Sequence, residues 1–166
     1  MKNKISTDQT PANVARIMEI LKETPQKLEA LSEPLTTEQS RQPLGEGKRS
    51  FTQDLAHLLN GEARSSEMIY QALLVNEPLF ADLHPDRHLG KLLRFDLLEF
   101  QDLLAYFKLR RVVLLRVLSG LKDADWSRSV REEGKQRKES VYWRARTIAM
   151  HELDHVHDLE IKLAKK

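Results

Sequence analysis

The chain has 166 residues, 27 Lys and Arg against 25 Asp and Glu, and no cysteine. The length suits one domain able to bury its own core, expected over 1–166 with its helical core at about 12–164. Balanced charge argues against a nucleic-acid partner, which needs a basic excess, and the missing thiols exclude disulfides, thiolate metal sites and a catalytic protein thiol.

Strand signals are nearly absent, and helical periodicity begins at Pro11, with Val14, Ile17, Met18, Leu21, Leu28 and Leu31 on one stripe. Pro25 falls inside that span, so a kink or two shorter helices are expected. From Ser32 to Arg49 the prolines and glycines read as a loop. Ser50 is the expected N-cap of a second helix over Phe51–Leu74.

A loop with Pro78 and Pro85 follows, then a third helix starting between His88 and Phe95 and running to about Leu118. It is apolar over more than one face, which predicts a central position or a face shared with a second copy in a homodimer. Asp123–Ser140, with Lys135, Arg137 and Lys138, reads as a solvated loop or small hairpin. Val141–Leu163 forms the fourth helix, so the fold class expected is all-α, a four-helix bundle. No run reaches the ~20 apolar residues of a membrane span, and Met1–Thr10 has no apolar stretch after its lysines, so a soluble cytoplasmic protein is expected.

Six histidines are present. His151 and His155 stand four apart on the fourth helix, at the border of the stripe Val141, Ala145, Ile148, Val156 and Leu159. Rings so spaced can chelate one ion or hydrogen-bond to neighbouring carboxylates. His151-Glu152-Leu153-Asp154-His155 also matches the H-E-x-x-H pattern of zinc peptidases. The extended pattern fails, because Ile161 stands where its last histidine would be, so a third ligand has to come from upstream. His57 is the best candidate, although it points away from the main apolar stripe of its helix towards the side of Gly61 and Met68. His84 precedes Pro85 and, with His88, is expected in a loop, while His157 is expected in solvent.

These pieces together resemble the DinB/YfiT-like family of small bacterial metal-binding four-helix bundles. The resemblance runs from about Val14 to Leu163 and rests on the Ser50-initiated helix with His57-Leu58-Leu59 and Glu62, the Asp125-Trp126 element, the charged loop with Gly134, and the paired histidines of the last helix. It implies a divalent metal, usually nickel or zinc, held by His57, His151 and His155. One departure is Asp158, where family members often carry glutamine three residues after the last ligand; it puts a substrate or supporting contact in doubt, and leaves the ligands untouched.

Three neutral imidazoles leave coordination positions open, as in catalytic sites. The resemblance implies transfer or isomerisation with a low-molecular-weight thiol such as bacillithiol or mycothiol, and an activated water would serve hydrolysis of a small-molecule substrate. Glu152 and Glu62 are candidates for a general base or for support of the ligands, and Glu152 could instead satisfy a neighbouring arginine. The alternative function is a non-catalytic, stress-associated metal-binding protein with a closed site and a partner surface on the third helix. Three imidazoles alone do not choose among zinc, nickel, iron and manganese.

Overall fold

A computed structural model describes residues 5–164; Met1–Lys4, which open the stretch read for a leader, lie outside it. The elements are α1 (Pro11–Ser32), α2 (Thr37–Arg41), α3 (Phe51–Leu74), β1 (Leu79–Phe80), a π turn (Pro85–Gly90), α4 (Lys91–Leu93) and a 3-10 turn (Phe95–Leu97). They continue with α5 (Phe100–Ser119), α6 (Asp123–Trp126), β2 (Ser129–Glu132), β3 (Glu139–Ser140) and α7 (Val141–Leu163). The four long helices make the bundle. The helix starts follow the capping chemistry of the sequence: Thr10, Ser50 and Ser140 each accept a backbone N–H of the first turn, and Gln53 closes a capping box with Ser50.

Pro25 does not divide the first helix, which runs unbroken from Pro11 to Ser32. A proline there leaves the carbonyl four residues back, that of Leu21, without its helical donor. Arg111 Nη1 supplies one at 3.4 Å. The third long helix starts later than expected, at Phe100. Arg94 adopts a left-handed backbone with φ 48°, tied to Asp96 by a two-pronged ion pair, and that reversal separates α4 from the 3-10 turn. Within the Ser32–Arg49 segment, expected as a loop, α2 buries Ser40 on α3, where Thr52 Oγ1 donates to its carbonyl.

Asp123–Ser140 is a small hairpin with more burial than a solvated loop would have. β2 pairs antiparallel with β3 and parallel with β1, and Trp126, Val130 and Glu132 are buried. Its basic cluster is engaged locally: Lys135 with Glu132, Lys138 with Glu77, and Arg137 over the Trp143 ring.

α7 packs on α1 and α3, and α5 packs on the same two, so α1 and α3, the first two long helices, share no main interface. Two apolar clusters fill the bundle. One gathers Ile17, Leu21, Met68, Leu114, Tyr142 and Ile148; the other gathers Leu28, Phe51, Leu59, Phe107, Val156 and Leu159. Fully burying each such side chain contributes about 1.5–3 kcal/mol. Along α5 and α7 the buried Arg111–Glu152 ion pair falls between the two clusters. α5 is not central: it buries Leu103, Phe107 and Leu114 and leaves Leu109, Val112 and Val113 exposed. No described helix is long and apolar enough to cross a membrane.

Candidate metal centre

The α3–α7 contact brings His57 against His151 and His155. One nitrogen from each ring falls within 4.8 Å of the others, and His57 Nε2 lies 3.0 Å from His151 Nε2. The off-stripe position of His57 has its explanation here, since that side of α3 faces the edge of α7 and not the apolar core. The other histidines stand apart. His84 caps the π turn by accepting from Arg87 N–H, His88 Nδ1 accepts from His84 N–H, and His157 is 65% exposed.

Behind His57 stands Asp86, from the π turn, with Oδ2 2.7 Å from Nδ1. Burial raises the Asp86 pKa, but hydrogen bonds from Asn60 and His57 and the charge of Arg49 outweigh it and hold the carboxyl below its ordinary value. An ionised carboxylate only accepts hydrogen bonds, so Nδ1 of His57 carries a proton, and Nε2 is the ring nitrogen turned to the cluster and available to a metal. Asp54, one turn before His57 and 2% exposed, lies 3.7 Å from His155 Nδ1.

Burial, reinforced by the neighbouring rings of His155 and His57, pushes His151 down to about 4, against the opposing charge of Asp86. Burial and His57 likewise lower His155, with Asp54 opposing. These rings are therefore held neutral, the form in which imidazole binds a metal. Two nitrogens on one tetrahedral ion at ~2.0–2.1 Å sit about 3.3 Å apart, close to the 3.0 Å between His57 and His151. An all-nitrogen donor set with a carboxylate behind one ring fits a divalent transition-metal ion.

A cavity of about 300 Å³ opens beside His151, between α3, α7 and the loop before the π turn. On one side Glu132 gathers Arg144 and Lys135, each at 2.9 Å, with Arg64 at 3.5 Å. Gly61 forms part of the wall, where a Cβ would come 3.7 Å from His151 Cε1. Glu62 and Glu152 line it as well. Both are buried and each is bound to an arginine, Glu62 to Arg110 and Glu152 to Arg111. Pairing with a neighbouring arginine, the alternative open to Glu152, is thus its observed state. Burial raises the Glu152 carboxyl, with Arg111 opposing. Oε1 of Glu62 has no hydrogen-bond partner among the described residues.

Sequence reasoning missed Asp86, Asn60 and Asp54. Asp54 had a local signal, an acidic residue three positions before a candidate ligand. Asp86 and Asn60 had none, because 26 residues separate them and only folding closes their 3.2 Å hydrogen bond.

Comparison with known proteins adds two findings. The sequence pattern described as the DinB superfamily matches residues 20–159. The structure is similar to that of YfiT from Bacillus subtilis, described as a probable metal-dependent hydrolase with an unusual four-helix bundle topology. That likeness has a TM-score of 0.84 at 16% identity, covering 99% of this chain and 93% of that one, and it establishes the shared fold. No curated protein matches the chain by sequence.

Proposed function

The chain belongs to the DinB superfamily, and from that premise we propose that it is a divalent-metal-dependent enzyme acting on a small polar substrate. The observation that carries this reading is the cavity of about 300 Å³ that reaches His151. A non-catalytic metal protein, the competing reading, calls for a closed site.

In the proposal His57, His151 and His155 hold the ion, zinc or nickel by the family resemblance. Bound there, it supplies Lewis acidity that lowers the pKa of a water or a thiol. Asp86 keeps the His57 tautomer fixed and its ring oriented. Arg64, Lys135 and Arg144 bind anionic groups of the substrate, and Glu62 accepts the proton of the nucleophile at Oε1, while Arg110 holds its other oxygen. Glu152, without exposure and tied to Arg111, positions the histidine-bearing turn of α7.

Two chemistries share this machinery. Hydrolysis is suggested by the description of YfiT and by the free oxygen of Glu62. Transfer of a low-molecular-weight thiol, bacillithiol or mycothiol, is suggested by the polar and basic side chains of the cavity, which suit a small polar molecule. The proposed setting is cytoplasmic, and the proposed working unit is a homodimer.

The test is to load the purified protein with zinc or nickel, measure metal per chain, and assay ester, amide and electrophilic substrates with and without each thiol. Near-stoichiometric metal, lost in His57→Ala, together with turnover is expected. Thiol-independent turnover identifies hydrolysis, and thiol-dependent turnover identifies transfer. Full metal loading without turnover of any substrate overturns the enzyme reading, and no metal uptake overturns the site.

A further inference from the structure

The outer face of α5 carries a seven-residue repeat of exposed positions: Asp102, Ala105, Tyr106, Leu109, Val112, Val113 and Arg116. Their spacing averages 3.5 residues, the period of a left-handed two-helix seam. It lies opposite the inward row of Leu103, Phe107, Arg111, Leu114 and Leu118, so α5 has two packing faces and the bundle uses one. Leu109 is 62% exposed and Val112 63%, well beyond what a lone surface residue requires explaining, because they are contiguous along the helix.

Charge on this stripe is arranged by its two ends. Asp102 stands at the amino-terminal end and Arg116 at the carboxy-terminal end, fourteen residues or about 21 Å apart. Neither side chain has an ion pair among the described residues. The flanking cations of α5 are already engaged inside the protomer, Lys108 with Glu29 and Arg110 with Glu62.

We propose that this face pairs with the same face of a second copy, the two α5 helices antiparallel about a two-fold axis at Leu109. In that register Leu109 meets itself, Tyr106 meets Val112, Ala105 meets Val113, and Asp102 of each copy faces Arg116 of the other. Every exposed position of the stripe then has a partner of matching chemistry, the self-complementarity that an isologous interface demands. A parallel pairing would instead set Asp102 against Asp102 and Arg116 against Arg116. The inference deepens the homodimer reading and is independent of what the histidines bind.

Light scattering on the eluted full chain should give twice the 19.3 kDa chain mass. Leu109→Arg, an exposed substitution that keeps the helical circular-dichroism spectrum, should raise the dimer Kd by about 100-fold. Asp102→Lys and Arg116→Glu should each weaken the dimer, and the double variant should recover it. Because the chain has no cysteine, Leu109→Cys offers one thiol, which a short bismaleimide should join into a covalent dimer. Leu92→Cys, exposed but off the stripe, should stay monomeric in denaturing gels. A wild-type monomer at tens of micromolar overturns the pairing and the homodimer together. A wild-type dimer that Leu109→Arg leaves intact, or that links through Leu92→Cys as well as through Leu109→Cys, overturns this face and register alone.

Discussion

Oδ2 of Asp86 lies 2.7 Å from Nδ1 of His57, and through that contact a short π turn between two bundle helices sets which ring nitrogen of His57 faces the other two imidazoles. The pair is separated by 29 residues and belongs to different elements, so the tautomer of one candidate ligand depends on a connection outside the four long helices.

Asp86→Asn keeps the size of the side chain and removes the charge that fixes the His57 tautomer. Loss of such a supporting carboxylate typically costs about 10–100-fold in metal affinity. Zinc competition against a chromophoric chelator should show a drop in that range with the fold intact by circular dichroism. Unchanged affinity would contradict the orienting role.

Gly90 governs the same network at one remove. A Cβ there would stand 2.7 Å from Asn60 Nδ2, the donor to Asp86 Oδ1, so Gly90→Ala has to displace Asn60. Metal affinity should fall by up to about tenfold, a fraction of the loss for Asp86→Asn. In an Asn60→Ala background the clash is gone, and Gly90→Ala should add no further loss. Additive losses in the double-mutant cycle would mean that Gly90 acts by another route.

The Arg111–Glu152 pair has both side chains within a few per cent of full burial. Removing one partner leaves a buried charge without its counterion, so Arg111→Met and Glu152→Gln should each cost about 3–5 kcal/mol in urea denaturation. Arg111→Met carries an added cost, since the Leu21 carbonyl freed by Pro25 loses its donor. Combining Arg111→Met with Glu152→Leu should recover part of the loss, because no ion is then stranded. A single-variant cost under about 1 kcal/mol would contradict the buried pairing.

Glu132 gives the fold an acid limb. Burial raises its pKa, but Lys135 and Arg144 outweigh that and hold it below the ordinary carboxylate value. The unfolded chain therefore binds this proton at a higher pH than the folded one, and the stabilisation is present above the unfolded pKa and lost as pH falls through the folded value. Thermal melts from pH 6 downward should show the wild type losing stability across that window and Glu132→Gln losing less. Parallel curves would remove Glu132 as a source of the acid dependence.

The six-residue π turn that carries Asp86, and the left-handed Arg94 that delays α5, were not legible because both depend on local backbone reversals without a periodic signature. The small hairpin was legible as an element and not as a partly buried one, since the burial of Trp126 and Val130 depends on which helices they meet.

What the sequence by itself determined was local: the period that makes four long helices, the cap at Ser50, and the one-turn spacing of His151 and His155. Those are short-range properties, set by backbone geometry and by neighbours within about a turn. His57 is named by the family resemblance as much as by its helix, because a position off the apolar stripe, on the side of Gly61 and Met68, does not by itself mark a ligand. Only the tertiary structure decided that His57 meets α7, that Asp86 stands behind it, and that Arg111 answers both Glu152 and the carbonyl freed by Pro25. Periodicity tells each helix which face to bury, and the packing of the whole chain chooses which faces meet.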